Sequence, residues 1–409
     1  MKRIFGFALG ILTAIGGFMD IGDIVTNAVV GARFGMSLAW VVVLGVGGIC
    51  IFAQMSGRVA AVSGRATFEI IRERLGPRLA LANLIASFLI NMMTVTAEIG
   101  GVALALELAS SVSELLWVPL AAFAVWLVVW RVKFAILENV TGLLGLSLIV
   151  FAVALFLLHP PWDELSRQAL LQVDFAQEKA STYWYYAIAL FGAAMTPYEV
   201  FFFSSGAVEE GWTVKDLGQS RINVLVGFPL GGLLSLALAG CAAVALLPQA
   251  IEVSSLSQVA LPVALAGGKL AFAILLVGTL AATFGAALET TLSSGYTLAQ
   301  FFGWSWGKFR RPVRAARFHL TMIIVLILGV AVLLTGVDPI KVTEYSVVFS
   351  AIALPLTYLP ILIIANDPQY MGEHVNGRAT GIAATVYLAI IVAASLSAIP
   401  LMVVTGAGT

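Results

Sequence analysis

Asp20 and Asp23 are the only charged side chains between Ile4 and Val30, in a run otherwise apolar enough to cross a bilayer. A carboxylate at the centre of a membrane helix costs about 2.5–3.5 kcal/mol on insertion scales, so two within one turn demand a compensating partner. Two carboxylates that close repel, and one keeps a proton unless a cation lies between them. The chemistry they offer is cation binding in mid-membrane. Gly22, between them, is expected to break the helix there. Pro197, flanked by Thr196 and Tyr198, is expected to break a later apolar run in the same way. A broken helix frees carbonyl oxygens that lipid cannot satisfy but an ion can. Four further acids fall inside apolar runs: Glu98, Glu138, Glu199 and Glu289. Glu199 either joins the ion site or holds the unwound turn after Pro197. Glu289, among Thr290, Thr291, Ser293 and Ser294, either lines a polar pathway or bonds a neighbouring helix. Glu138 reads as an interfacial partner of Lys133 or Arg131.

The elements that must position these groups are membrane helices. Of the 409 residues 60 % are hydrophobic and 11 % charged, and mean hydropathy is +1.01. This is the composition of a polytopic membrane protein, with lipid as its surroundings. Apolar stretches predict eleven spans, near residues 5–31, 36–62, 79–109, 115–130, 134–158, 183–208, 219–247, 259–302, 318–336, 345–365 and 380–404. Lys2 and Arg3 before an apolar run mimic a secretory signal, but the run continues past Asp23, so it reads as a retained first span. The eighth stretch is too long for one straight crossing and is expected to continue as an extramembrane helix. With the N-terminus inside, 17 of the 22 Lys and Arg residues fall on cytoplasmic segments. That bias places the N-terminus in the cytoplasm and, with eleven spans, the C-terminus outside a cytoplasmic (plasma) membrane.

The first and sixth spans share a design, each interrupted midway by a breaker with polar company. They stand five spans apart, so the two halves of the chain have opposite topology. Paired broken helices in inverted repeats point to a transporter's central site. The expected fold is an all-α polytopic membrane protein organised as one transmembrane domain over 1–409. It has repeats over about 5–158 and 183–365 and an added helix over about 380–404.

The residues that carry this pattern also resemble a known family. Asp20, Ile21, Gly22 and Asp23, then Thr26 and Asn27, then Gly31, Ala32, Arg33, Phe34 and Gly35, look like the first helix of the Nramp divalent-metal transporters. Gly64, Arg65 and Glu69, the run Ala97 to Gly100, and the stretch from Asn366 to Asn376 extend the resemblance over nearly the whole chain. It implies the ten-helix inverted-repeat core shared with sodium-coupled amino-acid symporters (LeuT-like), plus one helix. By positional match, the metal ligands would be Asp20, Asp23, Thr196 and the freed carbonyl of Ala193. The departures bear on the substrate. Where the family has Met-Pro-His, this chain has Thr196, Pro197 and Tyr198, and the family's first-helix asparagine is Asp23. Exchanging a thioether for a hydroxyl, and adding a second carboxylate, favours hard ions such as Mg²⁺, Ca²⁺ and Mn²⁺. In this the chain resembles divergent, magnesium-transporting relatives of the family. The acid expected three residues before Glu98 is Val95, and the family's histidine is Tyr198. Proton coupling would then fall to groups such as Glu98.

Other classes find little support. A formal net charge of +0 and the lack of a basic tract argue against nucleic acid. No P-loop, zinc-protease or nucleophile-elbow pattern points to an enzyme, and no cofactor is implied beyond the transported cation. Cys50 and Cys241 lie in apolar runs and read as small buried residues. Tyr183 to Tyr186 read as an interfacial aromatic belt, and Gly231 with Gly232 as a close helix contact. The expected function is inward transport of Mg²⁺ or Mn²⁺ by alternating access. The rivals are a proton-coupled Mn²⁺ or Fe²⁺ importer, a cation-coupled organic-solute symporter on the same core, and a non-transporting membrane sensor.

Overall fold

The computed structural model describes residues 18–132, 134–170, 179–308 and 310–407; the side chains of 134–139 also lie outside the description. Residues 5–17 of the first expected span, with Lys2, Arg3, Lys133 and the side chain of Glu138, therefore fall outside it. In chain order the helices are α1 (Ile21–Phe34), α2 (Ala39–Ser63), α3 (Thr67–Leu75), α4 (Pro77–Ser110), α5 (Glu114–Arg131), α6 (Phe134–Gly145), α7 (Val150–Leu157) and α8 (Trp162–Ala169). They continue with α9 (Ala180–Ala194), α10 (Pro197–Glu209), α11 (Leu217–Ala245), α12 (Leu256–Phe302), α13 (Ala316–Leu333), α14 (Pro339–Ala365), α15 (Pro368–Met371) and α16 (Arg378–Val404). Ten stretches among the described residues are long and apolar enough to cross a membrane, and they correspond to the second through eleventh expected spans.

Burial sorts the helices into a centre and a rim. The α9–α10 pair is almost wholly enclosed, whereas few residues of α16 and α5 are buried. Their outward side chains are apolar, among them Leu116, Phe123, Leu396 and Val403. A surface of that kind is stable against lipid and unstable against water. α1 shares the centre: every residue from Ile21 to Ala32 is buried. It packs on α11 through Gly31, where an added Cβ would stand 2.2 Å from the Ala239 carbonyl. Gly231 and Gly232 are close-contact positions, as expected, with Phe18 and Val46 within 2.9 and 2.5 Å of the places their Cβ atoms would take.

Two long helices frame the centre. α4 has 34 residues, about 51 Å of helix at 1.5 Å per residue, longer than the roughly 30 Å hydrocarbon layer. α12 covers 47 residues but breaks at Gly268, whose φ of 64° is open to glycine at little cost. The run after that break again spans 34 residues (269–302), and it lies five spans after α4, as an inverted repeat requires. The overlong eighth stretch thus carries a sharp break near its start, and the run that remains is still as long as α4.

One aromatic reading is corrected. Of Tyr183, Trp184, Tyr185 and Tyr186, only Trp184 is exposed. Tyr183 donates to the Ser37 carbonyl (3.0 Å) and accepts from Trp40 Nε1 (3.1 Å), so three of the four tyrosine and tryptophan rings pack inward against α1, α2 and α14. Tyr186 Oη likewise accepts from Arg33 at 3.2 Å, and such partners are what let a phenol be buried.

Candidate cation site

Two chain breaks meet at the centre. The first falls at Met19 and Asp20, ahead of α1, rather than at Gly22, which lies in the first turn of α1. Asp20 is extended (φ −88°, ψ 178°), and its Oδ1 accepts the Asp23 N–H at 2.8 Å, the geometry of an N-cap. Aspartate therefore starts the helix here, and the glycine serves a different need. A Cβ on Gly22 would stand 2.8 Å from Val347 Cγ1 and 3.0 Å from Asp20 Oδ1. The second break falls at Met195 and Thr196, with Pro197 as the first residue of α10. Proline has no N–H, and the residue four before it is Ala193, whose carbonyl thereby loses its helical donor. The neighbouring Met195 carbonyl accepts from Tyr358 Oη at 3.3 Å.

The acids gather around these breaks. Asp20 Oδ2 accepts from Tyr198 Oη at 3.3 Å, joining the two broken spans directly. Glu98, fully buried on α4, accepts the Ile21 N–H through both carboxylate oxygens (3.2 and 3.4 Å). It thus helps to cap the free N-terminus of α1, where a negative charge is favoured by the helix dipole. Asp23 turns another way. Its Oδ1 accepts from Asn27 Nδ2 (2.9 Å), and its Oδ2 accepts from Ser235 Oγ on α11 (2.5 Å). Glu199 lies in the first turn of α10, buried, within electrostatic reach of Asp20, and its Oε2 has no hydrogen-bond partner among the described residues. Glu289 on α12 is buried within electrostatic reach of Glu98 and Tyr198. Thr196 and Ala193 are buried at the second break.

Asp20, Asp23, Glu98, Glu199 and Glu289 are all at most 4 % exposed. The hydrogen bonds described above come to them from neutral donors. The ion pairs Arg65–Glu73, Arg74–Asp367 and Lys341–Glu344 lie at helix ends. Ionised carboxylates removed from water cost several kcal/mol each unless paired, so this constellation suits a cation or protons. The sequence marks Asn27 only as part of the family-like first helix and does not mark Ser235, because nothing in an isolated serine shows which helix it will face.

Residues 10–400 match the family model described as natural resistance-associated macrophage protein-like, or Nramp. The chain belongs to the Nramp family. Two similar proteins are the divalent metal cation transporter MntH of Acidiphilium cryptum, 27 % identical over 377 residues (90 % of this chain, 84 % of that protein), and MntH 1 of Pseudomonas aeruginosa, 28 % identical over 407 residues (95 % and 89 %). The Eremococcus coleocola manganese transporter, solved with an aromatic bis-isothiourea compound, superposes with a TM-score of 0.72 at 20 % identity over 96 % of this chain and 85 % of that one. Mhp1, a nucleobase-cation-symport-1 family transporter, superposes with a TM-score of 0.62 at 15 % identity (96 % and 91 %). These likenesses fix the fold of this Nramp chain as an all-α membrane protein on a LeuT-like inverted-repeat core.

Proposed function

We propose that this Nramp protein is a secondary transporter that moves a hard divalent cation, Mg²⁺ first and Mn²⁺ second, into the cell by alternating access. The observation that carries this reading is the meeting of the two breaks, where Tyr198 in the first turn of α10 bonds Asp20 at 3.3 Å, with Asp23, Thr196 and Ala193 buried at the same two breaks. The two carboxylates match the charge of one divalent ion. Thr196 and Ala193 add oxygen ligands, and no thioether stands at position 196. An all-oxygen set of this kind suits ions that bind carboxylate, carbonyl and water. Tyr198, Glu98, Glu199 and Glu289 surround the ligands and orient them or their waters. The cytoplasmic membrane, with the N-terminus inside and the C-terminus outside, follows from the charge bias of the loops.

A second reading, proton-coupled Mn²⁺ or Fe²⁺ import, is favoured by the relatives, which carry the names of divalent metal and manganese transporters. Glu98 at the α1 N-terminus would then carry the proton. A flux assay in proteoliposomes, with Mg²⁺ or Mn²⁺ outside and internal pH recorded, separates the two. Mg²⁺ entry without acidification, abolished by Asp20→Ala, is the expected result. Mn²⁺ entry with acidification and no Mg²⁺ flux would transfer the protein to the second reading. Flux unchanged by Asp20→Ala would remove the site assignment altogether.

A further inference from the structure

Ser235 Oγ is a shared vertex on the α11 side of the site. It lies 2.5 Å from Asp23 Oδ2, 3.3 Å from Met19 Sδ and 3.3 Å from the Gly231 carbonyl. A serine hydroxyl has one proton, and three acceptors compete for it. The carboxylate is both nearest and the strongest acceptor, so it takes the proton and leaves the sulfur lone pairs uncommitted. Met19 itself belongs to the non-helical link before α1 and is 1 % exposed. Its thioether is held in the site by the same break that presents Asp20. Asn27, on the other side of Asp23, gives its amide nitrogen to the carboxylate and leaves a fully buried Oδ1 with no partner among the described residues.

From this we infer that Met19 and Ser235 give the cation site a sulfur-bearing flank at Asp23, on the α11 side of the oxygen ligands Asp20, Asp23, Thr196 and Ala193, and that this flank takes a divalent transition-metal ion. The inference rests on the transport reading above and refines its substrate class. The thioether that position 196 lacks enters from the first helix, so the site combines a hard half with a softer half. Soft sulfur ligands favour later and more polarisable metals over Mg²⁺. The other nearby methionine does not serve, because Met195 Sδ packs toward α2, 2.6 Å from the place a Gly48 Cβ would occupy.

The test uses the full-length purified protein with Mg²⁺, Mn²⁺ and Cd²⁺ as probes, Cd²⁺ for its affinity for sulfur. Met19→Leu keeps the bulk of the side chain and removes the sulfur; Met195→Leu is the control. Met19→Leu is expected to weaken Mn²⁺ and Cd²⁺ binding by about tenfold, the scale of a lost ligand or supporting contact, with Mg²⁺ within about twofold of the unaltered protein. Cadmium X-ray absorption should show a sulfur neighbour in the unaltered protein and in Met195→Leu, and none in Met19→Leu. An all-oxygen shell in the unaltered protein overturns the inference, and that measurement needs no variant to fold. An equal loss for all three ions in Met19→Leu also overturns it, since that marks packing alone. Failure of the unaltered protein to bind or carry any divalent ion would instead sink the transport reading beneath it.

Discussion

Tyr198 donates its hydroxyl to Asp20 Oδ2 at 3.3 Å, so the first turn of α10 is fastened to the residue that starts α1. The two broken spans are 178 residues apart in sequence and meet through this bond. At 3.3 Å it is longer than the roughly 2.5–3.0 Å of a strong O–H···O bond, so it marks where the two breaks meet more than it holds them together. Tyr198→His would place a group with an ordinary pKa of about 6.5 beside Asp20. Below that pH an imidazolium would compete with the cation for the carboxylate. Mg²⁺ uptake by Tyr198→His should fall between pH 7.5 and 5.5 by a larger factor than uptake by the unaltered protein. Parallel pH profiles would show that position 198 does not face the ion site.

The substitutions that separate this chain from its family's pattern can be reversed singly. Thr196→Met offers a second thioether, and Asp23→Asn removes one negative charge. Each should lower Mg²⁺ flux, by tenfold or more for Asp23→Asn, because a divalent ion then meets one carboxylate in place of two. Thr196→Met should raise the Mn²⁺-to-Mg²⁺ flux ratio. Competition between the two ions in vesicles reads that ratio directly. A ratio lowered by Thr196→Met would remove Thr196 from the ligand set.

The spans could be read from sequence because bilayer thickness fixes their length and apolar side chains mark them residue by residue. The break at Pro197 was legible for a local reason, the missing N–H. Gly22 misled because a glycine in a helix has two explanations, a broken turn or a close neighbour. Here the neighbour, Val347, arrives from more than 300 residues away. The opposed directions of Asp20 and Asp23 were also hidden, since they depend on Tyr198 and Ser235 approaching from other helices. Glu98 could be flagged as a buried acid, but its bond to the Ile21 N–H joins residues 77 apart.

At the end of α14 a polar clasp joins Asp367 to Arg74 of α3, while Asp367 Oδ1 caps α15 through the Gln369 N–H. That N–H first, and then Arg74, hold the Asp367 carboxyl below the usual carboxylate range. A depressed value in the folded state stabilises the protein above the unfolded pKa of about 3.9, and the benefit disappears as pH falls through the folded value. Asp367→Asn should therefore lower the melting temperature at pH 6–7, with the deficit shrinking as pH falls below about 4. A deficit of equal size in both pH ranges would mean that the clasp acts through shape and not charge.

Gly31 and Gly218 predict opposite signs for the same chemical change. A Cβ on Gly31 would meet the Ala239 carbonyl at 2.2 Å and Ala242 Cβ at 2.9 Å, and the first of these is backbone that no side-chain rotation can clear. Gly218, in the first turn of α11, is exposed and has nothing within 4 Å of its Cβ position. Gly218→Ala should gain up to about 1 kcal/mol from the better helix former. Gly31→Ala should cost about 1–3 kcal/mol through overpacking. It should also force α1 away from α11, opening the distance between Asp23 and Ser235. Thermal unfolding in detergent gives the two signs, and Mg²⁺ affinity gives the consequence: reduced for Gly31→Ala, unchanged for Gly218→Ala. A Gly31→Ala protein as stable as the unaltered one would show that α1 and α11 part easily, and that their contact does not hold Asp23 in place.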